Sequence, residues 1–198
     1  MIGGIVFDIG GVIIDHDNAK MLAAINALLA RPPSTDDLIG RIRTSGIGTG
    51  TLGCSQLFET LADAYGGKAA PADWLAAWTC HFRLKTEMAE LIEQRLSKRL
   101  ACYICSNTKD LHWSYLADRH PILRNFCRTY LSFEVGLEKP DPAIYHRLAD
   151  DLGDPSTILF VDDRSENIQA AQNAGFLGHT YSVHDDFVRH LGRLGVLT

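Results

Sequence analysis

The sequence predicts an α/β protein built on a doubly wound parallel sheet, with a small all-helical segment inserted after the first strand. Short apolar segments alternate with amphipathic segments of helical period along most of the chain. The apolar segments lack the in/out polar alternation of a sheet that faces water on one side. Only residues 15–85 break the pattern, because helical segments follow one another there without a strand between them. Together these observations favour a sheet that helices cover on both faces.

The predicted core begins with a buried strand at residues 2–7, which ends in a glycine-containing turn. After the inserted block, an amphipathic helix at 86–100 leads into the next apolar strand. From there the patterns predict a strand at 101–105, a helix that begins near 111, a strand at 129–133, a helix at 142–153, a strand at 157–163, a helix at 165–176, a strand at 178–183 and a final helix.

The inserted block divides the chain into two predicted units. Residues 1–14 and 86–198 form the α/β core, and residues 15–85 form a helical cap. A glycine-rich connector, SGIGTGTLG, lies at residues 45–53 of this cap. We expect a flexible loop there and no phosphate-binding loop, because no strand precedes it and no GK[ST] triplet follows. The predicted cap helices cover residues 19–30, about 35–43, 54–65 and about 72–81.

The composition is that of an ordinary globular protein with a weak acidic excess. Hydrophobic residues make up 46% and charged residues 22% of the 198 residues, and the formal net charge is −5. An acidic body argues against nucleic acid and against an anionic membrane as partners. No basic segment precedes the apolar N-terminus, and no apolar run reaches the ~20 residues of a membrane span. We therefore expect a cytoplasmic protein, a monomer or weak homodimer, whose partner is a small molecule.

The five cysteines are odd in number and scattered along the chain, which favours reduced thiols. Cys102 and Cys105 form a CxxC pair within a predicted strand, where side chains three residues apart point to opposite faces. No second Cys/His pair accompanies them. We therefore expect neither a zinc site nor a redox site at this pair.

Residues with chemical function lie where the predicted strands end. Asp8 ends the first strand, and Ser106 and Asn107 end the strand that follows the inserted block. Asp162 and Asp163 end the predicted strand at 157–163. In open α/β sheets, ligands bind beyond the carboxyl ends of the strands. We therefore expect these side chains to converge on one site.

Lys139, in the loop GLEKPDP, adds a cation to this set. Clustered carboxylates repel one another, so they are costly unless a cation neutralises them. An all-oxygen donor set with few protein ligands suits Mg²⁺, which shares its coordination shell with water and substrate phosphate. The Lys139 ammonium and the Ser106 hydroxyl suit the oxygens of a transferring phosphoryl group.

Four segments in chain order resemble the four motifs of the haloacid dehalogenase superfamily, and the resemblance spans essentially the whole chain. It implies a Rossmann-like core, and the helical block lies where that superfamily carries a small C1-type cap. The stretch from SNT through LEKPDPAIY to VDDRSENI is also similar to the glucose-1-phosphatase-like subgroup. The four segments are FDIGGVIID, ICSNT, GLEKPDPAIY and ILFVDDRSENIQAAQNAG.

The resemblance implies a magnesium site and a nucleophile. Asp8 would be the nucleophile and a metal ligand, and Asp163 a second direct ligand. The backbone carbonyl of Gly10 would also bind the metal. Asp162 would support the site by holding a metal-bound water or by orienting Lys139.

The same resemblance implies how the substrate is bound. Ser106 would bind a phosphoryl oxygen, with Asn107 shaping the same substrate-binding loop, and Lys139 would bridge Asp8 and the phosphoryl group. The implied activity is Mg²⁺-dependent hydrolysis of a small phosphorylated metabolite, with a sugar phosphate as one option, through a phospho-aspartyl intermediate on Asp8.

Position 10 departs from the superfamily pattern, which usually has a second Asp two residues after the nucleophile as general acid and base. Here that residue is Gly10. His16, in the sequence DHD, is either a replacement for this group or a solvated residue at a loop-to-helix junction. The departure leaves two further functions open: a phospholigand-binding or interaction protein without catalysis, and a haloacid dehalogenase. The paired acids Asp162 and Asp163 count against the dehalogenase, which needs no metal.

Overall fold

The computed structural model describes residues 1–197, so residue 198, the last of the predicted core, lies outside it. Five parallel strands form the main sheet, in the order β5-β4-β1-β6-β7. The predicted doubly wound parallel sheet is therefore confirmed. The strands of the chain are β1 (Gly4–Phe7), β2 (Ile14–His16), β3 (Phe82–Leu84), β4 (Ala101–Ser106), β5 (Arg128–Leu131), β6 (Ile158–Asp162) and β7 (Leu177–Thr180).

Helices cover both faces of this sheet. One face packs on a cluster that includes residues of α5, α6 and α10, and the other packs on α8 and α9. The helices are α1 (Asn18–Asn26), α2 (Thr35–Thr44), α3 (Cys54–Tyr65), α4 (Pro71–Thr79), α5 (Thr86–Leu91), α6 (Asp110–Arg119), α7 (Ser132–Val135), α8 (Pro142–Leu152), α9 (Ser165–Asn173) and α10 (His184–Arg193).

The central strands β1 and β6 are largely apolar because their side chains alternate between these two faces. In β1, Ile5 and Phe7 belong to one buried cluster and Val6 to the other. Cys102 and Cys105 of β4 divide between the two clusters in the same way, as the spacing predicted. Since each face carries its own apolar cluster, the polar residues of these two strands are confined to the carboxyl ends.

Residues 15–85 contain four helices with a buried cluster of their own. The expectation that this block contains no strand is wrong at its two ends. There β2 and β3 pair antiparallel, with Asp15 opposite Arg83, and neither joins the main sheet. Each strand has only three residues, too few to show a period-2 pattern, so only the pairing of distant residues defines them.

Several predicted boundaries differ from the observed ones. The predicted helix at 86–100 continues from α5 only through a π-helical stretch, Ile92–Leu96. The predicted strand at 129–133 ends early, because residue 132 begins the short helix α7. Helix ends depend on local capping and fray by a residue or two, so pattern alone defines them poorly. Within residues 1–197, no helix has the length and apolar composition to cross a bilayer.

Candidate active site at the carboxyl edge of the sheet

Three neighbouring strands bring the predicted polar residues together. In the sheet, β1 lies between β4 and β6, so Asp8, Ser106 and Asp162 follow adjacent strands at one edge. All three are buried. The Ser106 side chain acts to lower the pKa of the Asp8 carboxyl group. The edge of a parallel sheet therefore gathers residues that are about 100 and 150 positions apart in the chain.

Lys139 is the cation at the centre of this group. Its Nζ lies 3.0 Å from Asp8 Oδ2 and 2.6 Å from Asp162 Oδ2, and it donates a hydrogen bond to the Cys105 carbonyl at 2.8 Å. Its exposed fraction is only 4%. Burial alone lowers the pKa of a lysine, but Asp8 and Asp162 outweigh that effect and the pKa of Lys139 is raised. Lys139 therefore stays charged and is shared between two carboxylates.

Asp8 faces opposing influences. Burial is the largest and raises the pKa of its carboxyl group, the Lys139 ammonium lowers it, and the negative charge of Asp162 raises it again. The net pKa is raised. Asp8 Oδ1 also accepts a hydrogen bond from the Ile9 amide at 2.7 Å, which fixes the orientation of the carboxylate. An additional cation at this site would relieve the remaining cost of holding Asp8 ionised.

Asp162 and Asp163 have different environments. Asp162 Oδ1 accepts hydrogen bonds from the Arg164 amide and from Asn167 Nδ2, both at 2.9 Å, while Oδ2 binds Lys139. Both of its oxygens therefore have partners. Asp163 is exposed, and its carboxylate lies directly against Gly11. Burial first, and the charge of Asp162 second, raise the pKa of Asp163.

The donor set fits a hard divalent cation. Carboxylate oxygens of Asp8, Asp162 and Asp163 all lie within 4.8 Å of one another. The pKa values of Asp8 and Asp163 are raised, mainly by burial and further by the charge of Asp162, so a bound cation would favour their ionised forms. Oxygen-only donors of this kind suit Mg²⁺. Asp162 accepts from three protein donors and is wholly buried, whereas Asp8 has two such partners and Asp163 is exposed. Asp8 and Asp163 therefore have more capacity left for a metal ion.

Asn107 is fixed by the backbone of Lys139. Its Nδ2 donates to the Lys139 carbonyl at 2.7 Å, and its Oδ1 accepts from the Lys139 amide at 2.8 Å. This pair of bonds ties the loop after β4 to the loop that carries the lysine. Asn107 therefore positions Lys139, and a direct contact with substrate stays a prediction.

His16 lies beside Gly10. A methyl group built at Gly10 would be 3.3 Å from His16 Cε1 and 3.4 Å from Nδ1, so the imidazole borders the space that a side chain at position 10 would occupy. His16 ends β2, is exposed and lines the cavity in front of Ser106. It therefore faces the candidate site, which distinguishes it from a residue solvated elsewhere on the surface.

The chain is similar to known proteins over most of its length. A family model described as haloacid dehalogenase-like hydrolase matches residues 2–175. A D-ribitol-5-phosphate phosphatase of Bacteroides thetaiotaomicron is 32% identical over 190 residues, covering 89% of this chain and 90% of the relative. The chain belongs to the haloacid dehalogenase-like hydrolase family. The predicted family is therefore confirmed, and the resemblance to the glucose-1-phosphatase-like subgroup stays a prediction.

Solved structures of haloacid dehalogenase (HAD) family members have the same fold. An enzyme of Bacteroides thetaiotaomicron, crystallised as a magnesium complex, superposes with a TM-score of 0.85 at 25% identity, covering 97% of this chain and 98% of that one. A HAD-like family hydrolase from Porphyromonas gingivalis superposes with a TM-score of 0.79 at 21% identity, covering 98% of each chain. The likeness covers nearly the whole chain, including residues 15–85.

In this hydrolase a cavity of about 760 Å³ opens in front of Ser106, between the sheet edge and residues 15–85. Its walls include an aromatic group, Trp78, Phe82 and His112, and His112 Nε2 lies 3.1 Å from the Trp78 carbonyl. Many lining residues gave no sequence signal, because they come from different elements and share no spacing. Those not predicted from the sequence include Met21, Ile39, Arg43, Ile47, Trp78, His81, Phe82, Lys109, Glu138 and Arg164.

Proposed function

We propose that this hydrolase cleaves a small phosphorylated metabolite in a Mg²⁺-dependent reaction, through a phospho-aspartyl intermediate on Asp8. The observation that carries the proposal is the buried Lys139 ammonium, shared between Asp8 and Asp162 at the sheet edge, next to the cavity that Ser106 and Asn107 line. Such a group holds a carboxylate ionised and oriented where an incoming phosphate would meet it. The phosphatase among the relatives supports the same reaction class.

Asp8 is the proposed nucleophile. One of its carboxylate oxygens attacks phosphorus, the bond from phosphorus to the ester oxygen breaks, and the alcohol leaves with a proton. Water then attacks phosphorus and releases inorganic phosphate and free Asp8. The Ser106 hydroxyl and the Lys139 ammonium stabilise the phosphoryl oxygens in both steps.

A magnesium ion held by Asp8, Asp163 and the Gly10 carbonyl would add positive charge next to the phosphoryl oxygens. This ligand set is supported by the carboxylate cluster and by the raised pKa of Asp163. Asp162 would support the site by orienting Lys139. Asp163 is the most accessible carboxylate of the cluster, which suits a direct ligand.

The substrate is proposed to be a phosphorylated polyol or sugar. A cavity of about 760 Å³ suits a small metabolite. The relative named as a D-ribitol-5-phosphate phosphatase covers 89% of this chain. We also propose that residues 15–85 act as a cap over the site, since they have their own buried cluster and line the cavity. A cytoplasmic location and a monomer or weak homodimer stay predictions.

Binding of a phospholigand without turnover is the second candidate function. The observation that favours it is Gly10, which supplies no acid or base. His16 favours turnover instead, because its ring borders the position of the missing carboxylate. We therefore place hydrolysis first, with His16 as the proposed proton donor to the leaving oxygen.

The experiment compares wild type, Asp8→Asn and Asp150→Asn on a panel of phosphorylated metabolites, with and without Mg²⁺. An amide cannot act as this nucleophile, so Asp8→Asn should lower kcat by more than ~10⁴-fold, beyond the ~10²–10⁴-fold loss typical of a general acid–base group alone. Asp150 is exposed on α8 and belongs neither to the carboxylate cluster nor to the cavity lining, so its variant should match wild type. Activity in Asp8→Asn would contradict the assignment of Asp8 as the nucleophile. A wild type that binds inorganic phosphate but hydrolyses nothing would favour the second function.

A further inference from the structure

Lys109 and Glu138 lie on the two loops that carry the phosphoryl-binding residues. Lys109 is three residues after Ser106, and Glu138 directly precedes Lys139. Both side chains line the cavity that faces residues 15–85. Neither has a role in the proposed mechanism. Their position places one positive and one negative group in the wall of the same cavity that Ser106 lines.

The two charges interact without forming an ion pair. Burial lowers the pKa of Lys109, and the charges of Glu138 and Asp8 act in the opposite direction. No Lys109–Glu138 contact within 4.0 Å occurs among residues 1–197, and neither side chain has a hydrogen bond there. An ammonium has only donors and a carboxylate only acceptors. The pair therefore offers both kinds of hydrogen bond to a group placed between them.

The glycine-rich connector holds the Glu138 carboxylate in place. A methyl group built at Gly48 would overlap Glu138 Oε1, so the backbone at Gly48 lies directly on that carboxylate. Two residues further on, a methyl group at Gly50 would overlap the Phe133 carbonyl. The connector thus packs against the core, where we expected a flexible loop. Glu138 is consequently confined between the connector and the cavity.

We propose that Lys109 and Glu138 form a specificity-determining pair that binds hydroxyl groups on the non-phosphorylated part of the substrate. The proposal rests on the proposed phosphatase function and deepens it. A hydroxyl group accepts a hydrogen bond from an ammonium and donates one to a carboxylate, so it matches both groups at once. A second anionic group gains little from the pair, because the two charges cancel. The pair therefore favours polyol and sugar phosphates over phosphates of bare alkyl chains.

The test compares two esters with Mg²⁺ present: a pentitol 5-phosphate, which has free hydroxyls, and n-pentyl phosphate, which has none. We define the hydroxyl selectivity as kcat/KM for the pentitol ester divided by kcat/KM for the pentyl ester. Lys109→Met removes the donor and should lower it by roughly ten- to a hundredfold. Glu138→Gln keeps an acceptor but removes its charge, so it should lower the selectivity by roughly tenfold. Gly48→Ala should lower it too, because its methyl group displaces the Glu138 carboxylate.

Two matched variants serve as controls. Glu134→Gln changes an exposed carboxylate in the same stretch, and Gly40→Ala adds a methyl group where nothing lies within 4 Å. Both should keep the wild-type selectivity. If a variant of the pair fails to fold, the proposal is tested by comparing the hydroxyl selectivity of Gly48→Ala with that of Gly40→Ala.

The possible failures can be separated. Wild-type selectivity in folded Glu138→Gln, Lys109→Met and Gly48→Ala would overturn the proposed pair alone. So would a wild type that hydrolyses an aryl phosphate but does not distinguish the two esters. A wild type that hydrolyses neither ester and no aryl phosphate would overturn the phosphatase function and, with it, the role of the pair.

Discussion

Asp162 and Asp163 are neighbours in the chain, yet the fold gives them different surroundings. Asp162 ends a buried strand, has an exposed fraction of 0% and holds Lys139. Asp163 follows the strand, is exposed and rests on Gly11. Asp162 is the last residue of β6 and Asp163 is the first residue of the loop that follows, so one acid is buried and the other exposed although their carboxylate oxygens lie within 4.8 Å of each other. The same residue type can therefore orient a lysine in one case and be free for a metal in the other.

Gly11→Ala should weaken Mg²⁺ binding by at least roughly tenfold. Gly11 has a φ of 70°, which disfavours alanine, and a methyl group there would overlap the Asp163 carboxylate. Gly136→Ala is the matched control, because Gly136 has a similar φ of 71° and a methyl group there would meet nothing within 4 Å. Isothermal titration calorimetry measures both affinities. Equal Mg²⁺ affinities for the two variants would contradict a metal role for Asp163.

His16→Asn should slow the cleavage of alkyl phosphates by ~10²-fold or more, because an amide cannot protonate the leaving oxygen. Aryl phosphates, whose leaving oxygen needs little protonation, should lose less. Gly10→Asp should keep the fold, since the backbone at Gly10 lacks a positive φ. It should raise the cleavage rate of alkyl phosphates more than that of aryl phosphates. Single-turnover kinetics measures the cleavage step apart from dephosphorylation. Equal losses on both ester types in His16→Asn would remove His16 from proton transfer.

At the scale of elements, several contacts join the inserted segment to the core, and two of them show how. The connector at 45–53 packs through Gly50 on the Phe133 carbonyl of α7. The helix α3 begins next to Asp110 of α6, whose carboxylate accepts a hydrogen bond from the Cys54 amide at 3.2 Å. A carboxylate at a helix N-terminus satisfies a free amide and the helix dipole. The core therefore caps a helix of the inserted segment.

Gly50→Ala should destabilise the protein more than Gly136→Ala does. Both glycines have a positive φ, 73° at Gly50 and 71° at Gly136. At Gly136 a methyl group meets nothing within 4 Å, so only the backbone cost of about 1 kcal/mol or slightly more is expected. At Gly50 it also overlaps the Phe133 carbonyl, so we expect about 2 kcal/mol or more. Urea unfolding measures both, and equal losses would contradict close packing of the connector.

At the scale of the whole molecule, the main sheet and the inserted segment have separate buried clusters. His81 lies between the main sheet and the inserted segment, where the chain returns from α4 to β3. Its exposed fraction is 6%. Burial is the main reason that its pKa is lowered to about 4, from 6.5, and the nearby His16 lowers it further. A histidine held neutral at the junction links stability to pH.

The free energy of unfolding should fall as the pH is lowered from about 6.5 towards about 4. In this window the unfolded chain protonates His81 and the folded protein does not. Between pH 7 and pH 5, His81 should account for a loss of about 1 to 2 kcal/mol. His81→Gln should reduce the measured loss by that amount in urea titrations at the two pH values, and His146→Gln, on an exposed residue, should not. An unchanged pH dependence in His81→Gln would contradict a neutral buried His81.

The chain order of apolar strands and helices was enough to predict the parallel sheet and the meeting of Asp8, Ser106 and Asp162 at one edge. That inference needs only the period of the strands and the rule that parallel strands end on the same side. Tertiary structure decided the rest. The pairing of β2 with β3, the His16 ring beside Gly10, and the Gly48 backbone against Glu138 join residues that are distant in sequence or follow no period. Such contacts depend on how helices and loops pack in three dimensions, and local residue patterns carry no record of that packing.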